Sequence, residues 1–195
     1  MKLLPKQENA VYYLKDNETR ELIYGGAAGG GKSALGVLWL IECCQRYKGS
    51  RYLMGRAKLK TLKETTLATF FELSSKLEIS DQWEYKMQQG VISWENGSEI
   101  ILKDLFYYPS DPNFDELGSL EITGAFIDEC NQVVSKAWQI VKSRIRYKLD
   151  EFGLIPKMLG SCNPSKNNHC QKTIHICLNH ILKHWGSLTR RAREG

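Results

Sequence analysis

The chain has 195 residues, 42% of them hydrophobic and 25% charged, and a formal net charge of +5. That balance belongs to one globular domain with a real core, and the mild positive charge is compatible with a polyanionic partner without demanding one. The longest apolar stretch, Leu35 to Cys44, is too short to span a bilayer, Met1 to Pro5 hold no signal-peptide core, and the six cysteines form no CxxC pair and read as reduced cytoplasmic thiols.

In chain order, Pro5 to Asp16 is a predicted helix with Ala10, Val11, Tyr13 and Leu14 inward. A strand expected over Arg20–Gly25 leads into Gly26-Ala27-Ala28-Gly29-Gly30-Gly31-Lys32-Ser33. That octapeptide fits G-x-x-x-x-G-K-[ST], the loop that wraps nucleoside triphosphate phosphates. Its glycines let successive backbone N–H groups face an anion with no Cβ in the way. The helix expected over Lys32–Tyr47 adds the positive potential of its N-terminus. Lys32 is placed to reach the β- and γ-phosphates and Ser33 to ligate Mg²⁺. Gly26, Ala27, Ala28, Gly29, Gly30, Gly31, Lys32, Ser33 and Ala34 are therefore the expected nucleotide-binding residues.

A second strand is expected over Arg51–Gly55, then one long helix over Ala57–Leu77 with Leu59, Leu62, Leu67, Phe70 and Phe71 largely on one face. Val91–Trp94 and Glu99–Leu102 flank Asn96-Gly97 and read as a hairpin. Tyr108 to Leu117, with Pro109 and Pro112, reads as loop. Thr123–Asp128 is a further strand, and Val134–Lys148 is an amphipathic helix with Val134, Ala137, Trp138, Val141 and Ile145 inward. Pro156–Ser161 is the last strand. Alternating strands and helices imply an α/β fold with a mostly parallel sheet. The composition breaks near Asn167, and all four histidines lie beyond it.

The apolar run Ala125-Phe126-Ile127 ends in Asp128-Glu129. In nucleoside triphosphatases the first carboxylate at such a strand end holds the Mg²⁺ shell, and a second can polarise the attacking water. Adjacent strand residues face opposite ways, but past the strand end the backbone can turn both into one cleft. The carboxyl ends of strands are where open α/β sheets bind ligands. Asp128 and Glu129 are assigned those roles, against the plainer reading of a solvated acidic turn. Ser161-Cys162-Asn163-Pro164 ends the next strand. The Asn163 amide suits a γ-phosphate oxygen or the attacking water, and reads equally as an Asn-Pro turn. Cys177, His180 and His184 have zinc-ligand spacing without a matching pair. Lys142, Arg144, Arg146 and Lys148, like Lys58, Lys60 and Lys63, read as solvated helix faces ahead of DNA-backbone contacts.

Together these residues resemble the ATPase domain of the tailed-phage terminase large subunit. The similarity runs from about Leu4 to Lys166. It rests on Gly26–Ser33, Asp128-Glu129 and Ser161–Pro164, supported by Pro5-Lys6-Gln7, Met54-Gly55-Arg56, Asn96–Ile100 and Leu117–Glu121. It implies a three-layer P-loop NTPase of the additional-strand catalytic-glutamate type over residues 1–166, hydrolysing Mg²⁺·ATP to drive double-stranded viral DNA into a capsid. It implies Gln7 as the reader of adenine, Lys32 and Glu129 as catalytic, and Asn163 as the group that reports loss of the γ-phosphate. Implied partners are the portal protein, the small terminase subunit and sister copies in a ring, in the host cytoplasm and away from membranes.

Three departures from the family stand out. The family continues into a nuclease domain, whereas Asp150 is the last aspartate here and only Glu151 and Glu194 follow, so no nuclease activity is expected of this chain. The phosphate loop lacks the arginine some relatives carry, which leaves Arg56, Arg144 and Arg146 as unranked candidates for an arginine finger, supplied from a neighbouring subunit. Residues 167–195 form an atypical basic tail with Cys and His, of the kind a truncated gene or shifted frame produces. Two other readings remain: a different P-loop DNA motor, helicase- or recombinase-like, and a truncated remnant that binds nucleotide without hydrolysing it.

Overall fold

The computed structural model describes residues 4–26 and 29–163. Ala27, Ala28, Pro164 and the whole 167–195 tail, with Cys177, His180 and His184, lie outside the described residues.

Helix α1 (Pro5–Lys15) starts at a proline whose fixed φ suits a first helical turn. Strand β1 (Glu21–Gly25) leads through the glycine loop into α2 (Lys32–Arg46). Strand β2 (Arg51–Arg56) is followed by α3 (Leu59–Glu64) and α4 (Thr66–Lys76). Next come β3 (Trp83–Lys86), β4 (Val91–Trp94), β5 (Glu99–Asp104) and the short α5 (Asp115–Gly118). The described chain ends with β6 (Gly124–Ile127), α6 (Ser135–Ser143), α7 (Leu149–Phe152) and β7 (Lys157–Cys162).

The seven strands form one sheet in the order β1-β7-β6-β2-β5-β4-β3. The first five are parallel neighbours, and β4 and β3 add an antiparallel edge. Strand β7 lies between β1 and β6, which is the extra strand the resemblance implies. Side chains alternate between two cores. Tyr52, Met54, Phe126 and Leu159 join the core under α1, α2 and α4, while Leu53, Ala125, Ile127 and Met158 join the one under α5 and α6. A strand buried on both faces reads as a continuous apolar run, as Ala125-Phe126-Ile127 does. The result is three layers, helix on sheet on helix.

Several local expectations are corrected. The single helix over 57–77 breaks at Thr65 (φ −120°, ψ −71°), whose hydroxyl donates to Thr61 O at 2.7 Å. Such back-bonding by a β-branched residue weakens a helix. Phe71 is exposed and stacks on Trp83 instead of filling the core. The helix over 134–148 is only Ser135–Ser143: Ile122 bonds Arg144 O and takes the N–H groups of Arg146 and Tyr147, so strand-like pairing stops the helix. Val134 precedes that helix and is exposed, while Ile145 lies past its end and is still buried. Lys142 therefore belongs to α6, but Arg144, Arg146 and Lys148 do not form its polar face. Strand β3 and helix α5 are four residues each, too short for a period to announce them.

Candidate nucleotide site

The parallel strands all end on the same side of the sheet. Gly25 lies beside Cys162, Ile127 beside Gly160 and Gly55, and Arg56 beside Asp104. The phosphate loop, Asp128-Glu129, Asn163 and Arg56 therefore emerge at one edge. Two glycines make this packing possible. At Gly36 a Cβ would stand 2.3 Å from the Phe126 ring, so only glycine lets α2 lie directly on β6. At Gly31 φ is +66°, and a Cβ would meet Gln7 Nε2 at 2.6 Å.

Gly31 caps α2 in the left-handed conformation, and no side chain caps that terminus. The end of α2 thus faces the loop with its own N–H groups, the arrangement that favours an anion. Lys32 is buried, with its ammonium donating to Gly26 O at 3.0 Å across the loop. Gln7 is buried as well: its Oε1 accepts the Leu4 N–H at 2.9 Å and its Nε2 donates to Gly31 O at 3.2 Å. Gln7 therefore ties the start of α1 to the last glycine of the phosphate loop.

Asp128 is the centre of the site and is 1% exposed. The Ser33 hydroxyl donates to its Oδ1 at 3.0 Å and lies 3.2 Å from Oδ2. The Thr66 hydroxyl donates to Oδ2 at 2.6 Å, and Ser161 donates to Oδ1. Arg56 Nη1 stands 3.3 Å from Oδ2 and donates to Thr65 Oγ1 at 2.8 Å. Among the described residues, Arg56 Nε is buried without a hydrogen-bond partner.

Glu129 has φ +50°, a left-handed conformation that costs a non-glycine residue about 1–2 kcal/mol. That kink turns the second carboxylate toward Asn163, whose Nδ2 donates to it at 3.2 and 3.3 Å. Ser161 Oγ accepts the Glu129 N–H at 3.2 Å, so one serine touches both acidic residues. The loop, Asp128, Glu129 and Asn163 are one constellation, as the sequence spacing anticipates.

Other candidates fall elsewhere. Arg144 Nη1 donates to Gly118 O at 2.8 Å, and Arg146 pairs with Glu121 at 3.0 Å. Both sit by Ile122, at the start of β6 and away from Asp128; of the three candidate arginines, Arg56 alone reaches this chain's own site. A cavity of about 350 Å³ opens at that opposite end too, lined by Trp39, Arg46, Tyr47 and Lys157 among others, and by none of the site residues. Sequence reasoning missed Thr66 altogether, since a threonine within a helical pattern carries no signal. It also missed that Ser161, already inside a motif, bonds Asp128.

Among the described residues no three or more His, Cys, Asp and Glu cluster as a metal cage, and no helix is long and apolar enough to cross a membrane. The Asp128 carboxylate and the Ser33 hydroxyl bring oxygen ligands close together. That fits Mg²⁺, which takes one or two carboxylates plus substrate phosphates.

The model of the phage terminase large subunit family matches residues 17–182, continuing past Lys166, where the resemblance was expected to end, and starting after Gln7. Solved structures agree in fold. The large terminase of a thermophilic bacteriophage superposes with a TM-score of 0.65 at 12% identity, over 84% of this chain and 40% of that one. The Thermus phage P74-26 large terminase ATPase domain gives 0.59 at 15% identity, over 86% of this chain and 67% of that one. The N-terminal domain of the bacteriophage phi29 DNA packaging ATPase gives 0.58 at 14% identity, over 88% of this chain and 85% of that one. The first of these terminases has also been solved with ADP and with ATP-γ-S. The chain spans about two fifths of that terminase's length. No curated protein matches it.

Proposed function

The chain belongs to the phage terminase large subunit family, and on that premise we propose that its P-loop domain is the Mg²⁺-dependent ATPase motor of viral DNA packaging. The observation that carries this is the bond from Ser33 in the phosphate loop to Asp128 at the end of β6, at 3.0 Å. It brings the phosphate cradle and the acidic strand end within reach of one triphosphate.

Mg²⁺, if bound there, would offset the negative charge of the triphosphate. Ser33 and Asp128 are the residues that would hold it. Lys32 exchanges its bond to Gly26 O for phosphate oxygens. Glu129 accepts a proton from the attacking water, and Asn163 holds the Glu129 carboxylate in position until the γ-phosphate displaces that bond. Arg56 acts in cis: its guanidinium is already at Asp128, and its unpartnered Nε gives it a donor for a phosphate oxygen. Gln7 retains one N–H and one lone pair beyond its two bonds in the chain, enough to read an adenine edge. Catalysis of this kind is positioning and electrostatics. Double-stranded DNA, the portal protein, the small terminase subunit and sister copies in a ring are the partners that follow, in the host cytoplasm.

The test is Glu129→Gln. It should bind ATP with wild-type affinity and lose turnover by about 10²–10⁴-fold, the range for a general base. Turnover like that of the wild type would remove Glu129 from its role.

A further inference from the structure

We propose that Thr66 is a positioning residue for the metal: its hydroxyl holds the Asp128 carboxylate in the orientation that metal binding needs. The inference rests on the nucleotide reading of this site and deepens it. Asp128 is buried and accepts from four side chains, Ser33, Thr66, Ser161 and Arg56. They are not equivalent. Ser33 would ligate a metal through an oxygen lone pair while its hydrogen goes on donating to Asp128. Arg56 reaches Oδ2 only at 3.3 Å and also donates to Thr65. Ser33 and Ser161 hold Oδ1, and Thr66, at 2.6 Å, is the close donor on Oδ2.

That bond is the shortest hydrogen bond Thr66 makes; its hydroxyl also lies 3.4 Å from Thr65 Oγ1, and the residue is wholly buried. A buried hydroxyl there without a partner would be destabilising. The break at Thr65 starts α4 anew, and Thr66, its first residue, is the one that reaches Asp128, 62 positions along the chain. Thr65 is fixed in turn, donating to Thr61 O at 2.7 Å and accepting from Arg56 at 2.8 Å. Outer-shell hydrogen bonds of this type orient a ligand and tune the affinity of its metal.

The experiment titrates Mg²⁺ against a fixed concentration of fluorescent ADP on the full chain, with a parallel measurement in EDTA. Thr66→Val keeps the shape and removes the hydroxyl. It should raise the Mg²⁺ midpoint by about 10–100-fold, the usual effect of losing an outer-shell partner, and leave the metal-free ADP affinity unchanged. Thr66→Ser keeps the hydroxyl and should stay within about threefold of wild type, a difference under 1 kcal/mol. If Thr66→Val binds Mg²⁺ like wild type, Thr66 merely fills the core and the inference is wrong. Where Thr66→Val fails to fold, Ser against Ala at 66 decides the matter, and equal midpoints overturn it. A wild-type protein that binds no ADP with or without Mg²⁺ sinks the nucleotide reading itself, whereas one that binds ADP without regard to Mg²⁺ overturns the metal role alone.

Discussion

Replacing Gly36 by alanine tests whether the contact between α2 and β6 sets the geometry of the site. The added Cβ would lie 2.3 Å from Phe126 Cε2 and Cζ and 2.5 Å from Cε1. Carbon atoms pack at about 3.5–4.0 Å, so helix and ring must part by about 1 Å or more. Ser33 is one helical turn before Gly36, and Asp128 is two residues after Phe126, so the same displacement opens the 3.0 Å Ser33–Asp128 bond. Overpacking of this size costs about 1–3 kcal/mol of stability. Misplacing catalytic groups by about 1 Å costs on the order of 10²-fold in rate. Thermal unfolding and ATP turnover would be read side by side, for Gly36→Ala, Phe126→Leu and the double variant. Leucine has none of the three ring atoms that clash. Alone, Phe126→Leu should lose about 1–2 kcal/mol as a cavity forms, but in the double variant it should restore much of the turnover lost by Gly36→Ala. Wild-type turnover and stability in Gly36→Ala, or losses in the double variant that simply add, would refute this reasoning.

Arg56→Lys retains a charge beside Asp128 but loses the fork and the Nε donor, so nucleotide affinity should hold while turnover falls about 10²-fold; unchanged turnover in steady-state kinetics would confine Arg56 to a structural role. Gln7→Ala should weaken ATP binding about tenfold and reduce discrimination against GTP; equal weakening of both nucleotides in a binding assay would mean that Gln7 acts only through Gly31. Lys157 gives its three protons to Tyr13 O, Asp16 Oδ1 and Thr19 O, each at 2.8 Å. Burial pushes the Asp16 carboxyl up, but the bonds from Lys157 and Thr19 outweigh it and hold the group below its ordinary value. A carboxyl lowered by folding adds stability above its unfolded value, and that stability drains away as pH falls through the folded one. Lys157→Met should therefore cost about 2–3 kcal/mol at neutral pH and flatten the loss of stability below about pH 4, as denaturant melts across pH would record.

Much of the site was legible because its parts are local. Gly26 to Ser33 is a contiguous loop between an apolar strand and a helix, and Asp128-Glu129 terminates a strand whose apolar run is unbroken. The parallel sheet followed from the alternation of elements. What escaped depends on the tertiary structure. Thr66 meets a carboxylate far along the chain, and Arg56 reaches Asp128 because β2 lies beside β6. The helix after Val134 stops at Ser143 because Ile122 captures the following backbone, a competition no helical period reveals. Strand β3 alternates half-buried Trp83 and Tyr85 with exposed Glu84 and Lys86, but four residues are too short a run to announce a strand without the edge that β4 offers.

The most direct measurement is a crystal structure of the protein with Mn²⁺ and ATP-γ-S, located by the anomalous scattering of manganese. A single Mn²⁺ should appear bonded to Ser33 Oγ, with Asp128 at its edge and phosphates wrapped by residues 26–33. Manganese away from Ser33, or a triphosphate seated out of reach of Asp128, would contradict the shared site on which the motor proposal stands.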